Sequence, residues 1–383
     1  MTNFNVLSIG SERNLFVKDS EAQKRIQEYG QLFNELHIIV FADKALGFKN
    51  IEIAKNIFVY PTNHAHKILY WHQVLSIVAG IVTRHTLSAV TAQDPFEAGL
   101  VGWLLKLRFH LPLQLQIHAD IFSSHFKAES LKNGLKVLIA KFLLPKADGI
   151  RVVSERIKQS LVSNVKCRMS NVSVLPIFVD VKKIQSAKIK MNLHQKYPEY
   201  DFIILIASRL TKEKNIGMAI KAMKELSQRL NVKSKMLLLI VGEGPEQKNI
   251  QLLITNYQLR NNIILEPWTN DLISYYKTAD LFLLTSNYEG YGRTVIEAMA
   301  AGLPVIMADV GIAGEVLIND LDGQVVPIGD IQVLTEAILE LIKNPAKREE
   351  FKLNSLKLLE KWPTKQEYLE KYKNSLDFDK MLK

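Results

Sequence analysis

The chain has 383 residues, 48% of them hydrophobic and 23% charged, which excludes a disordered or low-complexity protein and suggests two domains of roughly 150 residues each. A single cysteine, Cys167, excludes an intrachain disulfide and any cysteine-rich metal site, and fits a reducing compartment. The formal charge of +10 is uneven, with 21 Lys and Arg against 14 Asp and Glu in residues 1–180 but 28 against 25 in 181–383; no nucleic-acid-binding motif accompanies the excess, so nucleic acid is not the expected partner.

The opening "MTNFNVLSIGSERN" enters a strand at once, with no basic segment ahead of an apolar run, so it does not read as a signal peptide. Strands are expected at 5–10, 35–41, 56–61, 89–93, 113–118 and 149–154. Two apolar windows fall between them. The stretch 68–82 is too short to span a bilayer, and Lys106 and Arg108 interrupt 99–109. The expectation is therefore a cytoplasmic protein, with at most a peripheral seat on the inner face of the cell membrane.

Lys127, Lys132, Lys136, Lys141 and Lys146 recur every four or five residues along "FKAESLKNGLKVLIAKFLLPKADGI". That spacing puts them near one helical face, with Leu131, Leu135, Leu138, Ile139, Phe142 and Leu143 largely elsewhere. The face is either simply solvated or attracted to anionic headgroups or an anionic acceptor.

Beyond a polar, basic stretch at 184–201, strands are expected at 202–208, 235–242, 262–267, 281–286, 304–309 and 323–328, and helices at 215–230 and 245–259. Alternation of strands and helices in both halves is the pattern of parallel α/β domains. The boundaries drawn are 1–180, 181–362 and a terminal helix in 363–383, beginning at Pro363 and packing back onto the first domain. The expected architecture is two doubly wound, Rossmann-like domains facing a cleft.

The sharpest signal is "SNYEGYGRTVIEAMAAG" at 286–302, leaving the apolar run "LFLLTS". Ligands of open parallel sheets collect at the carboxyl ends of strands. Gly290 and Gly292 allow a sharp turn there, and a helix beginning near Arg293 and Thr294 offers unpaired N–H groups to a phosphate. Glu289 and Glu297 flank the turn and would repel a bare phosphate, so they serve something else. An ionised carboxylate only accepts hydrogen bonds, and hydroxyl pairs are natural donors. A diphosphate with diols at both ends, as in a nucleotide-sugar, satisfies the arrangement. Taken singly, Glu297 also reads as a glutamate favoured by the helix dipole and Glu289 as a loop charge; only the conjunction is specific.

The segment from 286 to 317 resembles the E-x7-E signature of the retaining GT-B glycosyltransferases of family four, the group 1 glycosyl transferases. "ASRLTKEKNI" (207–216), "VGEGPE" (241–246) and "PWTNDLISYYKTADLFLLTS" (267–286) are similar to the same family's segments in order and spacing. The resemblance implies a GT-B fold and transfer of a sugar from a nucleotide-diphosphate donor with retained anomeric configuration. It implies that Glu289 binds donor-sugar hydroxyls, that Glu297 binds the ribose diol, and that N–H groups of Gly290, Tyr291, Gly292, Arg293 and Thr294 hold the diphosphate. Arg209 and Lys214 would neutralise charge on the departing phosphate. His118, after the strand "LQLQI", would touch the donor sugar and the acceptor, and Gly10 stands in the family's first loop. The implied acceptor is a glycan or a lipid-linked molecule of envelope or surface-polysaccharide synthesis.

The chain departs from the pattern at Ser208 and Pro267, where glycine is common, and in a first loop holding Gly10 alone. Asp320 and Asp322 in "NDLDG" read as turn residues rather than a metal pair, and with two cations and a helix N-terminus available no cofactor or metal is expected for the transfer. Two other classes stay open: another enzyme acting on nucleotide-sugars, epimerase-like or phosphorylase-like, and a non-catalytic nucleotide-sugar-binding scaffold.

Overall fold

Uninterrupted apolar runs such as "FIILIA" and "MLLLIV" bury both faces of a strand, and only a parallel sheet covered by helices on each side accommodates them. The computed structural model describes residues 4–65, 70–166, 169–229, 235–376 and 378. Cys167 lies outside the described residues, as do residues 68–69 of the first apolar window and Leu230 at the end of the expected 215–230 helix. The chain divides into two units, residues 1–176 with 365–383, and residues 177–364.

The first unit holds β1 (Asn5–Gly10), β2 (Glu35–Val40), β3 (Ile51–Ala54), β4 (Ile57–Pro61), β5 (Ala89–Ala92), β6 (Leu113–Ile117), β7 (Gly149–Val152) and β8 (Val172–Val174) in the order β3-β4-β2-β1-β5-β6-β7-β8. Every pairing is parallel except β3 with β4. The second unit holds β9 (Phe202–Ala207), β10 (Met236–Val241), β11 (Ile263–Glu266), β12 (Leu281–Leu284), β13 (Val305–Ala308) and β14 (Gln324–Val326), all parallel, in the order β11-β10-β9-β12-β13-β14. This is the doubly wound order in which the winding reverses between the first and fourth strands. Its reversal lies between β9 and β12; in the first unit it lies between β1 and β5. At the carboxyl end of a reversal, neighbouring loops diverge to opposite sides of the sheet and leave a crevice.

In the second unit, Ile204, Ile206, Leu238 and Ile240 pack against Ile216, Ala219, Ile220, Met223 and Leu226 of the helix Ile216–Arg229. Apolar spacing of three and four keeps that helix face continuous, so the sheet is rigid where its loops emerge. In the first unit, the helix Lys365–Asn374 places Tyr368 and Tyr372 on one face, four residues apart. The Tyr372 ring stacks on Tyr29 at 4.8 Å, and Arg151 Nη2 donates to the Tyr368 hydroxyl at 3.1 Å.

One expectation is corrected. The lysine-rich segment, read as one helical face, is not one helix. It breaks at Ser130, which caps the helix Leu131–Leu143 by accepting from Asn133 N, while Ser124–Glu129 forms a separate short helix. Leu131, Leu135, Leu138 and Phe142, spaced four, three and four apart, form an exposed stripe, and Leu131 is 96% exposed. Val137, Ala140 and Leu143 fill the buried face instead. Side chains at 137, 140 and 143 point inward at helical spacing, which forces 131, 135, 138 and 142 outward.

Candidate active site

Three strand ends of the second unit are laced together at the reversal of its sheet. The loop after β9 carries Ser208, Arg209 and Lys214, and the loop after β10 carries Gly242 and Gly244. Leu210 N donates to Glu243 O at 2.9 Å and Glu246 N donates to Leu210 O at 2.9 Å. The approach is so close that a Cβ at Gly242 would sit 1.9 Å from Ser208 O, and one at Gly244 would sit 2.3 Å from Leu210 O. Gly242 also has φ of +149°, which L side chains rarely adopt.

The loop after β12 joins the same cluster. Asn287 N donates to Glu213 O at 2.8 Å, Thr285 Oγ1 donates to Lys214 O at 3.0 Å, and Asn215 Nδ2 donates to Asn287 Oδ1 at 2.9 Å. These bonds bring Lys214 Nζ onto Glu289 Oε1, with 16% and 13% of their side chains exposed. Ser286 Oγ donates to the same oxygen at 2.8 Å. Arg209 points outward, 77% exposed, with Glu213 Oε1 at 3.4 Å. The reversal therefore presents one held ammonium, one exposed guanidinium and one partly buried carboxylate.

The turn after Glu289 ends at Gly292, whose φ of +98° starts the helix Arg293–Ala300. Tyr291 is buried, and its carbonyl accepts from Ile312 N at 3.0 Å. Gly311 passes so near that a Cβ there would lie 2.5 Å from Tyr291 O. The turn is thus braced from behind by the segment after β13. Glu297, one helical turn on from Arg293, takes Arg293 Nε on Oε1 at 2.8 Å and the Tyr276 hydroxyl on Oε2 at 3.0 Å. Burial outweighs both partners and raises the Glu297 pKa, and burial likewise raises that of the Tyr276 phenol. Gly290, Tyr291, Gly292, Arg293 and Thr294 line the start of this helix, as the sequence placed them.

Tyr276 was not singled out from the sequence. Nor was the neighbouring knot in which Lys196, Tyr197 and Tyr275 all donate to Glu266, where β11 ends. Burial opposes ionisation of Glu266, yet the three donors together hold its pKa below the ordinary value. Tyr276 is 2% exposed in the helix Leu272–Thr278, and a buried tyrosine reads from sequence as core. Trp268, just beyond, is exposed.

In the first unit, Gly10 closes β1 at that sheet's reversal, and Phe41 N donates to its carbonyl at 2.8 Å. A Cβ there would meet Gln93 Oε1 at 2.4 Å. His118 follows β6, with Nε2 3.1 Å from Gln116 Oε1. Burial of the ring first, and the charges of Arg151 and Arg25 second, push its pKa down to about 4. The residue as a whole keeps exposed surface, which limits the size of that drop; either way the imidazole is neutral at pH 7. Gly10 and His118 belong to the first unit, Arg209, Lys214, Glu289 and Glu297 to the second.

Other polar residues of that edge are structural. Asp94 Oδ1 accepts from Phe96 N and Ala98 N, Asp120 Oδ1 from Phe122 N and Ser160 Oγ, and Ser154 Oγ from Ile157 N as a helix cap. Asp320 has φ of +59° and meets Lys347 Nζ at 3.1 Å, and Asp322 Oδ1 accepts from Ile318 N at 2.7 Å. Both are turn residues.

Residues 190–358 match the family model described as glycosyl transferases group 1. Among sequence relatives, an uncharacterised glycosyltransferase of Methanocaldococcus jannaschii is 26% identical over 304 residues, 77% of this chain and 78% of its own. The capsular polysaccharide biosynthesis glycosyltransferase CapM of Staphylococcus aureus is 27% identical over 272 residues, 69% of this chain and 70% of its own. Among solved structures, sucrose-phosphate synthase from Thermosynechococcus elongatus superposes with a TM-score of 0.80 at 18% identity, covering 97% of this chain and 98% of that one. Anabaena HepE in complex with UDP-glucose superposes with a TM-score of 0.75 at 20% identity, covering 97% and 98%. The fold shared with these structures is the GT-B fold.

Proposed function

We propose, from the match of residues 190–358 to the glycosyl transferases group 1, that the chain moves a sugar from a nucleotide-diphosphate donor to a glycan or lipid-linked acceptor with retention of configuration. One observation carries the reading. Lys214 and Glu289 meet at the carboxyl-end reversal of the sheet, beside a glycine turn that opens a helix and ends on Glu297. The relative CapM acts in capsular polysaccharide biosynthesis and HepE is complexed with UDP-glucose, which agrees with such a donor and acceptor.

The chemistry follows from the charges. The N–H groups of Gly290–Thr294 take the diphosphate; Arg293 and Thr294 open the helix, whose first turn has amides without intrahelical acceptors and the positive end of the dipole. Lys214 and Ser286 both sit on Glu289 Oε1, and Oε2 accepts donor-sugar hydroxyls. Glu297 accepts the ribose diol once Arg293, half exposed, turns to the phosphate. As the sugar C1–O bond breaks, electrons collect on the β-phosphate, where Arg209 and Lys214 neutralise them. The acceptor oxygen bonds to C1 on the face the phosphate leaves, and its proton passes to that phosphate. With these cations aimed at the leaving group, the transfer requires no divalent metal. By resemblance to the family, His118 contacts donor sugar and acceptor, and Gly10 belongs to a substrate-binding loop.

The acceptor sits on an anionic membrane, and the chain works as a peripheral protein on its inner face. The exposed stripe Leu131, Leu135, Leu138 and Phe142 supports this. Lys132 and Lys141 are exposed along the same helix, and Lys146 Nζ lies 3.9 Å from the Phe142 ring centroid. An apolar helix face flanked by lysines enters the headgroup layer, each lysine contributing about 1 kcal/mol near an anionic surface. Among the described residues no helix is long and apolar enough to cross a membrane.

The test is release of nucleoside diphosphate from a panel of donors, UDP-glucose first, with and without a lipid-linked glycan. Release that depends on acceptor supports the transfer. An altered sugar with no diphosphate released supports the epimerase-like alternative, and binding without turnover supports the scaffold.

A further inference from the structure

We propose that Glu35, His37 and His85 bind a divalent transition-metal ion, zinc by its ligand chemistry, at the amino-terminal edge of the first unit's sheet. Glu35 opens β2 and His37 follows two residues later, so the period of a strand puts both side chains on one face. His85 lies just after the helix Tyr70–Val82, its N–H donating to Ile81 O at 2.9 Å. Glu35 Oε2 is 2.7 Å from His85 Nδ1 and 3.3 Å from His37 Nε2, and the three ligand atoms all lie within 4.8 Å of one another. Tetrahedral zinc bonded at about 2.0–2.2 Å keeps its ligand atoms about 3.3 Å apart. The Glu35–His37 edge already has that length, and rotation of the half-exposed His85 ring adjusts the others.

The surroundings suit an ion. His37 is 1% exposed, and an imidazole binds an ion through its neutral form. The Tyr60 hydroxyl lies 3.2 Å from His37 Nδ1. By accepting the Nδ1 hydrogen it turns the Nε2 lone pair toward the ion, the usual arrangement behind a metal-bound histidine. Glu35 and His85 keep 26% and 32% of their side chains exposed, which admits the ion and a water as fourth ligand. Two imidazoles and one carboxylate with an open position form a common zinc set.

The ion would tie β2 to the segment that leads into β5, the two neighbours of β1. This edge is the end of the sheet opposite Gly10, so the ion's role is to hold the first unit together and not to take part in transfer.

The experiment uses the full chain stripped of metal, titrated with zinc against a chromophoric chelator and melted with and without the ion. One equivalent bound, with a rise in melting temperature, is expected. His85→Ala and Glu35→Gln, at half-exposed positions, should lose the rise and about tenfold or more in affinity, and Tyr60→Phe about tenfold while melting normally without zinc. Zinc uptake equal to wild type in His85→Ala and Glu35→Gln would overturn the proposal, as ions held elsewhere. No uptake by the wild type would also overturn it, leaving a hydrogen-bonded Glu–His pair.

Discussion

Replacing Lys214 by Ala removes the ammonium that lies on Glu289 Oε1 and, in the proposed reaction, faces the departing phosphate. Two magnitudes follow from its position. Glu289 is 13% exposed, so losing its partner leaves a mostly buried carboxylate supported by Ser286 Oγ at 2.8 Å, a cost of about 1–3 kcal/mol. A domain stable by about 5–15 kcal/mol stays folded under that cost. Losing a donor aimed at developing charge costs about 2.7–4 kcal/mol, which at about 1.36 kcal/mol per decade is roughly a hundredfold to a thousandfold in kcat. The assay measures nucleoside diphosphate release alongside urea unfolding. In Lys214→Ala with Glu289→Gln, removing the carboxylate charge restores stability; because Glu289 itself binds donor sugar, the leaving-group role is read from the kcat of Lys214→Ala. A kcat for Lys214→Ala within about threefold of wild type, or a double variant that recovers turnover, would refute the leaving-group role.

Glu297→Gln should raise the melting temperature at pH 7 while weakening donor binding. The folded pKa of Glu297 is raised by burial, so its protonated form is favoured in the fold. The resulting stability is fully present below the unfolded value and lost as pH rises through the folded one. The gain from Gln should therefore vanish in melts below about pH 4, and a variant less stable than wild type at pH 7 would contradict it. Gly244→Ala puts a Cβ 2.3 Å from Leu210 O, where only backbone can yield; a loss of about 1–3 kcal/mol in urea unfolding is expected, with a higher KM for the donor because the loop of Leu210 carries Arg209. Leu135→Glu with Leu138→Glu should abolish flotation with anionic liposomes and leave turnover on a soluble acceptor unchanged. Unaltered flotation would remove the membrane reading.

Much of the second unit was legible because its signals are local. A run such as "MLLLIV" admits few structures, and Glu289, Gly292 and Glu297 fall within nine residues whose spacing implies a turn into a helix. What brings Lys214 to Glu289 is strand order, which places β9 beside β12 although 75 residues separate the two side chains. No local pattern encodes that adjacency. Tyr276 escaped because a buried tyrosine in an apolar stretch looks like core until its hydroxyl is seen on Glu297. β3 was missed because "IEIA" is a short edge strand of partial burial, and β8 because it has three residues. In the lysine segment, spacing alone could not tell which of two amphipathic faces the rest of the unit would cover. The unit covers the face of Val137, Ala140 and Leu143.

The helix Lys365–Asn374 has a consequence for synthesis on the ribosome. Arg151 and Gln114 are almost wholly enclosed, and part of their hydrogen bonding comes from the Tyr368 hydroxyl and the Ser375 carbonyl. Both partners are translated more than two hundred residues later. The half made first must wait with Arg151 bonded through Nη1 to Gln116 alone while the half made second can finish. Maturation thus runs against the direction of translation, and a nascent chain stalled near residue 360 would be a natural client for chaperones.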